Sequence, residues 1–283
     1  MRLRGVRRSR NVEDRRGRSG KAAVGGIGGV GLLIVLAVGY FAGIDVTPLL
    51  REVTSGTGTA PATQQASFTP EEEAAAEFSA RVLATTEDVW DQVLPAQAGL
   101  EYVPPTLVLF SDTTSSPCGG ASGATGPFYC PADEKAYLDT AFFATMSRRL
   151  GAAGDFAQAY VIAHEVAHHI QNEIGVLGAV NAERQRVSER QANALTVRLE
   201  LMADCFAGLW ASQVDGLLEP GDLDEALNAA RAIGDDTLQR RAGRVPQPHT
   251  FTHGTSAQRQ AWFERGYETG NMSACDTFAV ENP

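Results

Sequence analysis

The stretch GDFAQAYVIAHEVAHHIQ, residues 154–171, leaves the chain little conformational freedom. Phe156, Tyr160, Ile162, Ala163, Val166, Ala167 and Ile170 recur at helical spacing, which predicts a largely buried helix from 155 to about 173. Three of the chain's five histidines fall inside it. Polar side chains on such a helix cost several kcal/mol between them unless something compensates them. His164 and His168 are four apart and share a face, with Cβ atoms roughly 5–6 Å apart. Two imidazoles at that spacing can reach one zinc ion at about 2.0–2.1 Å each. Glu165 lies about 100° around the helix, beside such a metal, where it can act on a metal-activated water. His169 lies about 140° from His164 and 100° from His168 and cannot join the same ion. It is expected behind the ligands or on the surface.

A third protein ligand is required if the fourth position is to hold water. A histidine six residues after the motif is absent, since position 174 is Ile. The segment VRLELMADCFAGLWA, 197–211, offers a better source. Glu200 and Asp204 share a helical face among Leu199, Leu201, Met202, Phe206 and Leu209. Buried carboxylates are costly unless paired or metal-bound. Glu200 as ligand and Asp204 as hydrogen-bond partner of a ligand histidine would satisfy both. The competing reading is a carboxylate pair bonded to a nearby arginine such as Arg198.

The charge is unevenly distributed. The net value is −10 over 283 residues, but residues 1–21 carry nine Lys/Arg against Glu13 and Asp14. Such an acidic remainder argues against nucleic acid as a partner. Residues 22–44, AAVGGIGGVGLLIVLAVGYFAGI, contain no charge. A helix of that length rises roughly 34 Å, enough to cross a bilayer core. The reading is therefore a basic cytoplasmic segment (1–21), a retained transmembrane helix (22–44), a flexible linker (45–68) and a folded extracytoplasmic domain (69–283) of a single-pass cell-membrane protein. Thr69-Pro70-Glu71-Glu72-Glu73 is a helix start, with a capping hydroxyl, proline and first-turn acids, and the helix is expected to run to about Leu94.

Within the domain, TLVLF (106–110) has β character, and FYCPADEKAYLD suggests two strands around a turn at 131–134. Further helices are expected at 140–150, 181 to about 214, 222–241, and from Ser256 as cap. The fold class is α+β, mostly helical with a small sheet. All four cysteines follow the apolar stretch, so they are expected in an oxidising compartment as disulfides. Of three possible pairings, Cys118–Cys130 and Cys205–Cys275 are favoured. Each would contribute on the order of 3 kcal/mol.

CGGASGATGPFYCP, YLD at 137–139, GDFAQAYVIAHEVAHHIQ, RLELMADCFAGLWA and FTHGTSAQRQAWF occur in order behind a basic start and a glycine-rich span. Together they resemble the bacterial family of predicted neutral zinc metallopeptidases with one N-terminal membrane anchor. Ala167 stands where that family often has glycine. The resemblance implies a zincin-like fold with a glutamate third ligand. His164, His168 and Glu200 would hold one zinc per chain, Glu165 would be the general base, and Asp204 would support a ligand histidine. His253, by analogy with thermolysin-like enzymes, would stabilise an oxyanion, with His249 as runner-up. The partner implied is a peptide or protein substrate, bound along a strand edge at 106–110 or 126–130. An alternative is a non-catalytic zinc-binding envelope scaffold, against which an intact Glu165 stands.

Overall fold

The computed structural model describes residues 1–17, 68–122 and 126–283. Among them no helix is long and apolar enough to cross a membrane. The expected span 22–44 and residues 45–67 of the expected linker lie outside the described residues.

The first helix, α1 (Pro70–Ala98), starts as its sequence dictates, with Thr69 accepting from Glu72 in a reciprocal capping box. It continues through Pro95 to Ala98, four residues past the expected end, and is capped by Gly99. The strands follow: β2 (Thr106–Phe110), β3 (Thr113–Ser116), β4 (Gly119–Ser122), β5 (Phe128–Cys130) and β6 (Lys135–Asp139). A strand near the N-terminus, β1 (Val12–Asp14), completes a sheet of order β1-β2-β6-β5. The β1-β2 and β2-β6 pairs are parallel, while β5 returns antiparallel to β6 and forms the edge. Alternation sorts the sheet's faces. Leu107, Leu109, Ala136 and Leu138 join the main core, and Val108, Phe110, Tyr137 and Cys130 form a smaller cluster.

Seven helices follow: α2 (Phe142–Leu150), α3 (Asp155–Glu173), α4 (Val176–Arg184), α5 (Glu189–Gln213), α6 (Asp222–Ala232), α7 (Asp235–Arg241) and α8 (Ser256–Thr269). The helix expected from 181 to 214 is interrupted. The chain breaks before Ser188, which with Gln191 forms a second capping box for α5. The stretch 222–241 also splits, at Ile233 and Gly234. Thr255, not Ser256, caps α8; the Ser256 hydroxyl instead donates to Arg231 and Asp236.

The expected domain start at Thr69 omits part of the folded unit. Residues 1–16 and 68–283 form one compact unit. Besides the β1 pairing, the Met1 nitrogen lies 2.8 Å from Asp155 and 3.1 Å from Glu219, within the acidic group at the start of α3.

Helices α5 and α8 approach to backbone contact. A Cβ on Gly208 would stand 1.9 Å from the Phe263 carbonyl oxygen, and one on Gly266 would stand 1.8 Å from that of Cys205. Only glycine fits at either position. Both expected disulfides are present, Cys118–Cys130 and Cys205–Cys275. The second fastens α5 to the C-terminal segment beyond α8 and spans 70 residues of sequence. By loop entropy it contributes about 4 kcal/mol. Replacing Cys205 and Cys275 together by alanine is expected to lower unfolding free energy by about 2–4 kcal/mol in denaturant titrations. An unchanged midpoint at unchanged slope would contradict that role.

Candidate metal centre

α3 and α5 pack side by side and bring three side chains to one point. The Nε2 of His164 lies 3.1 Å from one Glu200 oxygen, and the Nε2 of His168 lies 3.5 Å from the other. A tetrahedral zinc with ligand bonds of about 2.0–2.1 Å separates its ligand atoms by about 3.3 Å. The residues therefore fit a zinc ion by both donor type and spacing. All three line a cavity of about 540 Å³, which Glu165 also faces.

Each histidine is held from behind. His168 Nδ1 lies 2.9 Å from the Gln171 side-chain oxygen. Gln171 is fully buried and donates to the Leu199 carbonyl on α5. This arrangement keeps the Nδ1 proton on the far side and leaves Nε2 free for a metal. His164 Nδ1 lies 3.0 Å from Asp204 Oδ1. Asp204 is also gripped by Arg259, whose Nε and Nη2 donate at 2.8 and 2.9 Å, and by the Tyr160 hydroxyl. Arg259 is 1% exposed.

The electrostatics follow from this packing. Burial opposes charge on His164, but Asp204 and Glu200 outweigh it and raise its pKa to about 10 before any metal competes for the nitrogen. Burial also opposes charge on Glu200, yet His168, His164 and His253 hold its pKa well below the usual carboxylate range. Asp204 is likewise lowered, because Arg259 and His164 overcome its burial. Glu165 moves the other way. Burial raises it, with His168 and His164 opposing, which suits a group that must take up a proton.

Other predicted residues separate. His253 lines the cavity with His164, His168 and Glu200. Burial opposes its charge, but Asp235 and Glu200 raise its pKa. Asp235 Oδ2 accepts from the backbone nitrogens of Thr252, His253 and Gly254, and Oδ1 lies 3.4 Å from His253 Nδ1. His249 sits in the exposed turn Pro248–Thr250, and its carbonyl accepts from Asn193. Arg198 reaches the tail carbonyls of Thr277, Val280 and Glu281, away from the buried carboxylates. His169 is 1% exposed, so the surface alternative is set aside. Its ring nitrogens meet the Tyr129 hydroxyl at 3.0 Å and the Val103 carbonyl at 2.6 Å. It thereby joins the metal helix to edge strand β5.

Sequence reasoning missed Gln171, Arg259, Asp235 and Tyr160. Gln171 had a legible signal, since it follows His168 by three and shares its helical face. The others meet their partners only across helices.

The chain is similar to known proteins over much of its length. The uncharacterized protein YpfJ of Escherichia coli (strain K12) is 47% identical over an alignment covering 98% of this chain and 99% of that protein. The uncharacterized protein Rv2575 of Mycobacterium tuberculosis (strain ATCC 25618 / H37Rv) is 43% identical, over 71% of this chain and 70% of its own. No solved structure matches. The model of the family described as "Putative neutral zinc metallopeptidase" matches residues 1–278, and the chain belongs to that neutral zinc metallopeptidase family.

Proposed function

We propose that the protein is a zinc-dependent endopeptidase, with one zinc per chain held by His164, His168 and Glu200 and with Glu165 as general base. The observation that carries this reading is the ligand triangle at zinc spacing in a cavity that Glu165 faces. A purely structural zinc site is closed by four protein ligands and needs no adjacent base. Here three ligands converge.

Zinc, when bound, acts as a Lewis acid that lowers the pKa of water toward 7 and polarises a carbonyl. The chain's own groups do the rest. Glu165 accepts the proton of the attacking water and passes it to the leaving amine. His253, whose pKa Asp235 and Glu200 raise, stabilises the negative oxygen of the tetrahedral intermediate. Edge strand β5 contributes Phe128 and Tyr129 to the cavity wall. An extended peptide can add to that edge through main-chain hydrogen bonds. The Tyr129–His169 bond fixes the edge relative to the metal helix. Asp204, held by Arg259 and Tyr160, sets a negative charge 3.0 Å behind the His164 ring.

The proposed setting is a membrane, engaged through residues 22–44, with the domain in an oxidising compartment. The two disulfides support that compartment.

Glu165→Gln is expected to retain one zinc per chain and lose at least 100-fold in cleavage across a peptide library. Glu200→Ala is expected to lose the zinc itself. Metal analysis alongside the library assay reads both, and equal activity in Glu165→Gln would exclude the assigned base. Bound zinc with no cleavage by the wild type would favour the non-catalytic scaffold. Arg259→Met leaves Asp204 buried without its counter-charge. Zinc-free protein carrying it should lose about 3–5 kcal/mol in denaturant unfolding. A loss below about 1 kcal/mol would show that Arg259 does not hold Asp204.

A further inference from the structure

A single membrane crossing by residues 22–44 would put residues 1–16 and 68–283 on opposite faces of the bilayer. Yet the two stretches form one folded unit. Their join has the character of a domain interior. Val12, Glu13 and Asp14 pair in register with Leu107, Val108 and Leu109. Leu107 N–H donates to the Asn11 carbonyl at 2.8 Å, and Arg15 N–H donates to that of Leu109 at 2.7 Å. Arg81 on α1 donates to the carbonyls of Leu3 and Val6. The buried Arg16 guanidinium pairs with Asp14 and donates to the Glu72 carbonyl at 2.7 Å. The buried Glu87 carboxylate takes its partners from this stretch: Ser9, Asn11 and Arg7.

The basic residues are spent in the same way. Arg7 binds Glu87 and Asp88, Arg8 binds Glu77, and Arg15 joins Glu13, which Lys135 also binds. Charges that a topology rule would assign to the cytoplasmic leaflet here neutralise carboxylates of the folded unit. Withdrawing the segment would expose the parallel edge of β2 and strand Glu87 without its partners, each costly.

We infer that residues 1–16 lie on the same side of any membrane as the metal centre. This departs from the single crossing expected from charge and length. It holds equally if two copies exchange their N-terminal strands, and it is independent of the catalytic reading.

The test uses the full chain in bacterial cells, with Arg10→Cys and Val245→Cys made separately at exposed positions. The native cysteines are paired in disulfides. A membrane-impermeant maleimide is applied to spheroplasts and then to lysed cells. Both positions should react before lysis, or both only after it. Reaction of one before lysis and the other only after it would overturn the inference. Hydrogen exchange on the full chain in lipid nanodiscs supplies the second measurement. The Arg15 amide, which donates to the Leu109 carbonyl, should be protected as the bonded amides of β2 are, and its exchange at the rate of an unstructured peptide would overturn the inference.

Discussion

The fold around the metal centre depends on one electrostatic problem. Two carboxylates, Glu200 and Asp204, sit one helical turn apart on α5 in the packed interior, Asp204 with no exposure. Left alone, either would be protonated or would destabilise the domain by several kcal/mol. Most of the polar groups packed against them supply positive charge or donors. His164 lies between the two, Arg259 takes both oxygens of Asp204, Tyr160 donates to it, and His168 faces Glu200. Glu200, unlike Asp204, meets imidazoles and no guanidinium. A divalent cation there balances its charge and leaves both imidazoles neutral.

That solution requires three helices to meet within one side-chain length. α3 carries the histidines, α5 the carboxylates and α8 the arginine. The glycines at 208 and 266 let α5 and α8 touch backbone to backbone, and this seats Arg259 on Asp204. The Cys205–Cys275 disulfide departs from the residue next to Asp204 and secures the chain beyond α8. Stability and site geometry are thus the same contacts, and changes that loosen the α5–α8 contact should also disorder His164.

The sequence made the local parts of this arrangement legible. The HEVAHH spacing is set by the helical repeat, so which histidines share a face follows from arithmetic. The Glu200 and Asp204 pair was visible as an anomaly, polar side chains in an otherwise apolar helical face. Turn chemistry located the β5–β6 hairpin and the start of α1. Arg259 was not legible. An arginine in SAQRQAW reads as a solvated helix residue, and only the tertiary approach of α8 buries it. The break before Ser188 was missed although Ser188 and Gln191 have capping-box spacing, and the one at Gly234 was missed although a glycine stands there. The N-terminal strand was also misread. A run rich in arginine reads as a solvated basic tail, whereas here Arg7 and Arg8 pair with acids of α1, and Arg15 and Arg16 pair with Glu13 and Asp14 of β1.

The central claim is that the buried carboxylates and histidines are arranged around a zinc ion. Anomalous diffraction at the zinc edge from crystals of zinc-loaded full-length protein tests it most directly. The account predicts one peak per chain, about 2.0–2.1 Å from His164 Nε2, His168 Nε2 and a Glu200 oxygen, with His169 and His249 remote from it. A peak ligated by His169 or His249, or zinc-loaded crystals with no peak between α3 and α5, would contradict it.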